Sequence, residues 1–306
     1  VPDGCGSGRF RSACAGKVLD MSHRGRRVVA GRYRLVDQLG RGGMGAVWRA
    51  QDDVLGREVA VKETLMPRGL DDERLAVVRD RTLREARAAA QIRHPGVVRI
   101  HDVLLEDDHP WIVMEYVKAR SLDDLLKARG ALGVAEAARI GLALLDALRA
   151  VHALGILHRD VKPANILLED NGQVVLADFG IAMIDGDTRL TVSGELLGTV
   201  SYMAPERLNG HPVPGPSSDL WSLGAVLYTA VEGHAPFQGD SRVAVMAAIL
   251  TQDPPLPRQA GPLGKVIKGL MARVPEARWD ATTAARQLSA LAVDPVPAGA
   301  GGPASW

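Results

Sequence analysis

The hydrophobic pattern of the chain changes near Lys118, and this change limits the folds that are open to it. Between Tyr33 and Lys118, short runs of alternating apolar and polar residues, rich in β-branched side chains, are separated by turn residues. Such runs predict an antiparallel sheet, which one helical segment interrupts at 71–92. From Ser121 onward, apolar residues recur at helical spacing, as in 140–151. We therefore predict an α+β fold in which a small sheet-rich lobe precedes a larger helical lobe, with a cleft between them.

The two ends of the chain differ in composition from its middle. Residues 1–32 are rich in Gly, Ser and Arg, and we expect a disordered basic tail there, in which Met21 is a plausible natural start. The small lobe and its hinge are expected at 33–118 and the helical lobe at 119–291. Residues 292–306 are rich in Pro, Ala and Gly, which is typical of a linker or C-terminal tail.

Charge and cysteine content exclude several classes of protein. The 306 residues include 37 Lys and Arg against 36 Asp and Glu, so the formal net charge is +1 and nothing favours a nucleic-acid partner. No run of about 18 or more apolar residues is present, so we expect no membrane segment in this chain. The two cysteines, Cys5 and Cys14, both lie in the tail, which favours a reducing, cytoplasmic location. A longer gene product could still be membrane-anchored.

A glycine-rich stretch near the start of the small lobe suggests a phosphate-binding loop. Residues 40–45 read GRGGMG and fit the spacing G-x-G-x-x-G, which serves more than one class of nucleotide-binding fold and also arises without a ligand. The strand that follows contains Lys62. Alternation places it on the same face as Ala60 and opposite Val59 and Val61. By themselves these features also fit a solvated strand lysine after an ordinary turn.

Three later motifs resolve this ambiguity. The chain reads HRDVKPAN at 158–165, DFG at 178–180 and APE at 204–206. With the glycine loop and VAVK at 59–62, these segments occur in the order and spacing by which the chain resembles the protein kinases, specifically the eukaryote-like Ser/Thr kinases of bacteria. The resemblance runs from about Tyr33 to Leu291. It implies a bilobal protein-kinase fold and an ATP-dependent enzyme that moves the γ-phosphate to Ser and Thr hydroxyls of proteins in signalling.

The resemblance also implies a catalytic role for five residues. Lys62 would hold the α- and β-phosphates of ATP, and Glu85 on the helix would fix Lys62 through an ion pair. Asp160 would act as the base or orienting carboxylate for the substrate hydroxyl, while Lys162 reaches the γ-phosphate. Thr199 would contact both of them, which favours Ser and Thr as targets. The alternative for Glu85 is an exposed helix acid.

ATP and a divalent cation are the implied ligands. Asn165 and Asp178 would coordinate Mg²⁺, a hard cation that prefers oxygen donors, with Mn²⁺ as a possible substitute. The glycines would let the loop backbone approach the phosphates. For Val47 and Leu167, the ceiling and floor of the adenine slot, the alternative is plain core packing. The full predicted nucleotide site consists of Leu39, Gly40, Arg41, Gly42, Gly43, Met44, Gly45, Val47, Ala60, Lys62, Met114, Glu115, Val117 and Leu167.

Regulatory and scaffold roles follow from the same resemblance. Arg159 would pair with a phosphate on the segment between DFG and APE, where Thr191 and Ser193 are the predicted autophosphorylation sites. Phosphorylation there would occur in trans and require self-association. The alternative is that both are ordinary polar loop residues. Asp219 is expected to cap a helix and brace the HRD backbone, and Glu206 to form a buried ion pair with Arg278.

Three other functions compete with this interpretation. A pseudokinase scaffold would be favoured by loss of the catalytic Lys, Asp or Asn residues, and none is lost. In a nicotinamide-nucleotide oxidoreductase the glycine loop would open a helix, whereas here it continues as the strand-like segment 46–50. A Walker-type NTPase would need Gly-Lys-Ser/Thr directly after the loop, and that sequence is absent.

Overall fold

A computed structural model describes residues 27–42, 45–66, 69–180, 200–209 and 215–292. The predictions made for residues 1–26 and 293–306 lie outside these ranges. The same is true of five predicted site residues, namely Gly43, Met44, Thr191, Ser193 and Thr199.

The first lobe contains a six-stranded antiparallel sheet, as the alternating pattern predicts. Its strand order is β1-β2-β3-β4-β6-β5. The strands are β1 (Val28–Val29), β2 (Tyr33–Gly42), β3 (Gly45–Asp52), β4 (Arg57–Thr64), β5 (Ile100–Glu106) and β6 (His109–Glu115).

The prediction of a disordered tail over residues 1–32 is wrong for the last residues of that range. Val28 and Val29 form β1, which pairs with β2, and the Val29 side chain is fully buried. The two valines follow a run of arginines and a glycine and are too few for alternation to show. Burial of Val29 against the sheet therefore extends the folded lobe back to Arg27.

The two faces of this sheet have separate tasks. Val59 and Val61 of β4 point into a small core with Tyr33, Trp111 and other apolar side chains. Ala60, on the opposite face, belongs to a second core that continues into the helical lobe. The predicted alternation is thus confirmed, and it directs Lys62 away from the small core.

Helix α1 (Asp72–Ala89) is the helical segment predicted within the first lobe. The Asp71 side chain caps it by accepting a hydrogen bond from the Arg74 amide at 2.8 Å. Asp72 and Glu73 occupy its first turn, where the positive end of the helix dipole stabilises acids.

The second lobe is helical with one small sheet next to the cleft. That sheet pairs β7 (Arg120–Ser121), β8 (Ile166–Leu168) and β9 (Val174–Leu176). The described helices are α2 (Leu122–Arg129), α3 (Val134–His152), α4 (Pro205–Leu208), α5 (Pro216–Glu232), α6 (Arg242–Thr251), α7 (Leu263–Leu270) and α8 (Ala281–Leu291).

Helices α3 and α5 form the centre of this lobe. Leu144 and Leu148 of α3 and Trp221 and Leu227 of α5 are fully buried. Gly141 allows the two helices to approach closely, because an added Cβ would lie 2.7 Å from a methyl group of Leu227.

Two scaffold predictions have different outcomes. The buried pair is present: Arg278 Nη1 lies 2.7 Å from Glu206 Oε1, which ties α4 to the segment before α8. The capping prediction for Asp219 is wrong, because α5 begins at Pro216 after Gly215 and Asp219 lies in the first turn. None of the described helices is long and apolar enough to cross a lipid bilayer.

Candidate active site

A cleft of about 740 Å³ lies between the six-stranded sheet and the helical lobe. It is lined by most of the residues that the sequence motifs single out, although these are far apart in the chain. The predicted residues that line it are Leu39, Gly40, Arg41, Gly42, Gly45, Val47, Ala60, Lys62, Met114, Glu115, Val117, Asp160, Lys162, Asn165, Leu167 and Asp178. Glu85 and Arg159 are not among the residues of its wall.

The apolar end of the cleft has an upper and a lower wall. Ala60 of β4 faces Met114 of β6 in the strand register, and both are buried. Val47 of β3 and Leu167 of β8 are partly buried and pack against the same core. Core packing and lining of the cleft are therefore compatible for these two residues. A flat, apolar ring fits such a slot.

The glycine loop forms the end of the β2–β3 hairpin, with Gly42 opposite Gly45. Gly45 is required by packing, because an added Cβ would lie 1.7 Å from the Glu63 carbonyl oxygen and φ is +140°. The role of Gly45 in phosphate approach stays a prediction beside this packing requirement, since Gly45 also lines the cleft. Gly40 and Gly42 have open space where a Cβ would stand, so room for a ligand remains above the cleft.

The segment 158–165 brings three polar side chains to one point in the cleft. Lys162 Nζ lies 2.7 Å from Asp160 Oδ2, and Asn165 Nδ2 donates to the same oxygen at 2.9 Å. Both contacts use Oδ2, so Oδ1 of Asp160 can accept a hydrogen bond from an incoming hydroxyl. A carboxylate placed in this way can orient a hydroxyl nucleophile and accept its proton.

A buried carboxylate holds this segment in place from behind. Asp219 Oδ2 accepts from the His158 amide, and Oδ1 accepts from the Arg159 amide, each at 2.9 Å. His152 Nε2 lies 2.8 Å from Oδ2. Burial alone would raise the pKa of Asp219, but these donors lower it, so the group is an anion. The predicted bracing of the HRD backbone is present.

Two residues of the site adopt left-handed backbone conformations that side chains other than glycine rarely take. Arg159 has φ +66° and Asp178 has φ +59°. Such conformations persist where the surroundings determine them, and they cluster at functional sites. Next to them, the His158 ring lies 4.8 Å from the Phe179 ring. Burial lowers the pKa of His158, which makes this side chain a neutral packing and hydrogen-bonding group.

The predicted ion pair between Lys62 and Glu85 is not made. Lys62, which is buried, pairs with Asp178. Glu85 Oε1 instead accepts from Arg159 Nη1 at 2.8 Å and from Arg81 Nε at 3.1 Å. The alternative of an exposed helix acid is wrong as well, because the Glu85 side chain is only 23% exposed. Helix α1 directs Glu85 towards the HRD segment, so its partner is an arginine there.

The residues predicted to hold a cation supply oxygen donors at the inner end of the cleft. The Asn165 amide nitrogen contacts Asp160, which leaves its oxygen as the atom for a hard cation. The Asp178 carboxylate is 30% exposed. Within the described ranges, no cluster of three or more His, Cys, Asp or Glu side chains could hold a metal ion. Two protein oxygens fit a cation whose other ligands are phosphates and water.

Nine residues of the cleft wall are not among the predicted site residues. Several occupy the hinge and the start of α2, where Ser121 caps the helix through the Asp124 amide at 3.0 Å. The S-x-x-D spacing of Ser121 and Asp124 is a recognisable capping signal, but it does not reveal that the cap faces a cleft. The nine are Val98, Tyr116, Ala119, Ser121, Asp123, Asp124, Lys127, Ala164 and Ala177.

A second cavity of about 750 Å³ lies behind the helical lobe, between α3, the start of α5 and the start of α8. None of the predicted site residues lines it. Its walls include His152 and a contact between His94 Nε2 and the exposed Asp146 carboxylate at 3.1 Å. Of these two cavities, only the interlobe cleft is lined by the predicted site residues.

Comparison with known proteins agrees with this geometry. A family described as protein kinase domain matches residues 33–288. The serine/threonine-protein kinase PknA of Mycobacterium tuberculosis is 41% identical over 240 residues, which cover 76% of this chain and 54% of the relative. PrkC of Bacillus subtilis, also named a serine/threonine-protein kinase, is 37% identical over 234 residues, covering 76% of this chain and 35% of the relative.

A solved structure supports the same fold. The crystal structure of Rad53 1-466 in complex with AMP-PNP superposes with a TM-score of 0.68 at 27% identity, covering 86% of this chain and 66% of that one. The chain spans about half the length, or less, of the two curated relatives described above. The family match covers most of the chain, and the two-lobed α+β fold and the motif-bearing cleft accord with it. The chain therefore belongs to the protein kinase domain family.

Proposed function

We propose that this protein is an ATP-dependent serine/threonine protein kinase. One observation carries the proposal: Asp160, Lys162 and Asn165 converge within hydrogen-bonding distance in a cleft that also contains Lys62 and Asp178. Transfer of a phosphoryl group needs little covalent chemistry from a protein, so placement of charge around the reacting oxygens is the main requirement. These five side chains supply such a placement.

Each residue has a distinct part in this proposal. Asp160 orients the substrate hydroxyl and accepts its proton, and Lys162 neutralises charge on the γ-phosphoryl group. Lys62 binds the α- and β-phosphates, while the slot between Ala60 and Leu167 holds the adenine ring. Mg²⁺, or Mn²⁺ in its place, would be held by Asn165 and Asp178 and would neutralise phosphate charge.

The proposed acceptors are serine and threonine hydroxyls of proteins. Lys162, two residues after Asp160, and Thr199 are the features of the sequence that favour these over tyrosine. We further propose that the protein phosphorylates itself in trans at Thr191 and Ser193 and acts in cytoplasmic signalling. The names of PknA and PrkC support the choice of Ser and Thr.

The test is incorporation of labelled phosphate from γ-labelled ATP into a general protein substrate such as casein. The Asp160→Asn variant keeps the size of the side chain but removes the carboxylate. We expect it to lower the rate by about a hundredfold or more, which is the contribution typical of a positioned acid or base. Asp146→Asn, at an exposed position behind the helical lobe, is the matched control and is expected to keep full activity.

Two results would contradict the proposal. Equal incorporation by the protein and its Asp160→Asn variant would exclude Asp160 from the reaction. No incorporation by either, with nucleotide binding retained, would indicate a scaffold that uses the kinase fold without catalysis.

A further inference from the structure

The peptide group that joins Arg159 to Asp160 has a hydrogen-bond partner at each of its polar atoms. Its carbonyl oxygen, on Arg159, accepts from Arg207 Nη1. Its N–H, on Asp160, donates to His158 Nδ1 at 3.3 Å. These two polar atoms lie on opposite edges of a planar unit that also contains the Cα of Asp160. The two contacts therefore determine how this plane is rotated, and with it the direction in which the Asp160 side chain leaves the backbone.

This rotation accompanies a strained backbone at Arg159. Its φ of +66° lies in the left-handed region, and a residue other than glycine persists there where its surroundings hold it on more than one side. Asp219 binds the amides of His158 and Arg159, so it holds the two peptide groups that precede Arg159. The hydrogen bond from Arg207 holds the peptide group that follows it. Loss of that bond would let the 159–160 peptide group rotate and relieve the strain.

Arg207 belongs to the short helix α4, which is attached firmly to the helical lobe. The residue before it, Glu206, shares two hydrogen bonds with Arg278, at 2.7 and 3.1 Å. The Arg278 side chain is fully buried and the Glu206 side chain is only 9% exposed, so this pair is shielded from water. A guanidinium is always charged, and a charge-assisted hydrogen bond is stronger than one between neutral groups. An anchored element thus presents a strong donor to the Arg159 carbonyl oxygen.

We propose that Arg207 is a positioning residue for phosphate transfer, which fixes the 159–160 peptide group and so aims Asp160 at the acceptor hydroxyl. This inference rests on the proposed kinase activity and adds a residue to the same site. Arg207 is not among the residues of the cleft wall, so its effect passes through the backbone rather than through contact with ATP. The aim of Asp160 also preserves its contacts with Lys162 and Asn165, which both use Oδ2 and leave Oδ1 for the hydroxyl.

The test replaces Arg207 with side chains that lose or keep a cationic donor. Arg207→Met retains an unbranched side chain without a donor. We expect its kcat to fall about tenfold, equivalent to about 1.4 kcal/mol, because even a small displacement of a catalytic group is costly. The KM for ATP should change little, since Arg207 does not line the cleft. Arg207→Lys keeps a cationic donor and should recover most of the lost rate, which a role in packing alone would not explain.

The matched control is Arg273→Met in the same lobe. Arg273 also donates to backbone carbonyl oxygens, those of Leu250 and, at 2.5 Å, Gln252, but these lie at the end of α6. Its replacement removes the same kind of hydrogen bond and should lower the midpoint of thermal unfolding as Arg207→Met does. It should leave kcat per folded molecule unchanged, because neither carbonyl belongs to the segment 158–165.

A double-mutant cycle with Asp160 separates positioning from a general effect on the fold. In an Asp160→Asn background there is no carboxylate to aim, so Arg207→Met should lower the residual rate far less than it does in the parent protein. Should Arg207→Met fail to fold, Arg207→Gln, which keeps a shorter and neutral donor, takes its place in the cycle under the same criteria.

Three results would overturn the inference while the proposed function stands. They are an equal fall in rate in both backgrounds, an unchanged kcat in the single variant, and a loss confined to the KM for ATP. Absence of phosphate transfer by the parent protein would instead contradict the proposed function, and this inference with it.

Discussion

Asp219 binds the backbone of the segment 158–165 and Glu85 links helix α1 to the same segment, but the two carboxylates are held in different ways. Both oxygens of Asp219 accept hydrogen bonds, from two backbone amides and from His152, and the side chain is buried. Glu85 uses only Oε1, and its two partners are long, partly exposed arginine side chains.

This difference divides the site into two parts. The preset part is the segment 158–165 held by Asp219, and the adjustable part is Glu85 with its two arginine partners. Backbone amides cannot leave Asp219 without unfolding the segment, so the positions of Asp160 and Asn165 are determined by the fold. Arginine side chains have alternative rotamers and can exchange a carboxylate for another anion at modest cost. The structure thus fixes the segment 158–165 through backbone hydrogen bonds to Asp219, whereas Glu85 is held by side chains alone.

The largest effect on stability and on the rate of phosphate transfer is expected from a change at Asp219, which holds the preset part of the site. Asp219→Asn places an amide NH₂ where one carboxylate oxygen faces amide donors, so at least one buried donor loses its acceptor. We expect the free energy of unfolding to fall by about 2–4 kcal/mol. The rate of phosphate transfer should fall about a hundredfold, because a shift of about 1 Å in a catalytic group can cost that much. Chemical denaturation and steady-state kinetics measure the two effects.

A suitable comparison for this variant is Ser241→Ala, which removes the side-chain cap of α6 far from the cleft. Its cost in stability should be about 1 kcal/mol, without a fall in the rate of transfer. If Asp219→Asn behaved in the same way, the segment 158–165 would not depend on this carboxylate for its geometry.

A smaller effect is expected from Glu85→Gln, and it should appear in one state only. If phosphorylation by incubation with ATP brings about the Lys62–Glu85 pair that the resemblance implies, the variant cannot form it in that state, and we expect its kcat to fall about tenfold, or about 1.4 kcal/mol. Phosphatase-treated enzyme lacks that pair already, so its kcat should barely change. The ratio of the two activities therefore falls towards one, whereas Glu73→Gln, an exposed acid in the first turn of α1, should leave the ratio unchanged.

The preset part of the site was also the part that could be predicted from the sequence. The resemblance to the protein kinases, carried by the HRD and DFG motifs, predicted that Asp160, Asn165 and Asp178 belong to one site, and the structure places all three in the cleft wall. The fold class followed from the change in hydrophobic period, since alternation and helical spacing reflect burial of one face.

The adjustable part could not be predicted in the same way. The partner of Glu85 depends on how α1 is rotated and where long arginine side chains reach, and neither is encoded in the local spacing. The requirement for Gly45 was missed for a related reason, because the clashing atom is the Glu63 carbonyl oxygen of a neighbouring strand. Strand β1 was missed because two valines contain too little pattern.

The glycine loop offers a comparison of fixed and open positions within one hairpin. Gly45→Ala introduces both a clash with the backbone of β4 and a φ that alanine rarely adopts. We expect a loss of about 1–3 kcal/mol in unfolding free energy and a few-fold higher KM for ATP. Among the described residues, Gly42→Ala meets no atom within 4 Å, so the free energy of unfolding should change by less than about 0.5 kcal/mol. Equal destabilisation of both variants would contradict a packing role specific to Gly45.

The smallest effect on transfer is expected at Asp52, a buried carboxylate of the sheet that resembles Asp219 in its bonding. It accepts from Arg32 through two bonds of 2.8 Å and from the Val54 and Leu55 amides at 3.2 Å, but it does not line the cleft. Asp52→Asn should therefore lower the free energy of unfolding by about 2–3 kcal/mol. It should leave kcat per folded molecule unchanged, which would show that proximity to the HRD backbone, rather than burial of a carboxylate, accounts for the kinetic effect at Asp219.

Acid titration distinguishes the charge of Asp52 from its shape. The hydrogen bonds from Arg32, more than any other contact, lower the pKa of Asp52 from its ordinary value of 3.8 to about 2. The ionised form thus stabilises the fold fully above pH 3.8, and this contribution is lost as the pH falls through about 2. The difference in unfolding free energy between the protein and Asp52→Asn should be largest above about pH 4 and shrink towards pH 2, as measured by urea denaturation across this range. A difference that stays constant with pH would mean that the carboxylate contributes through packing rather than through its charge.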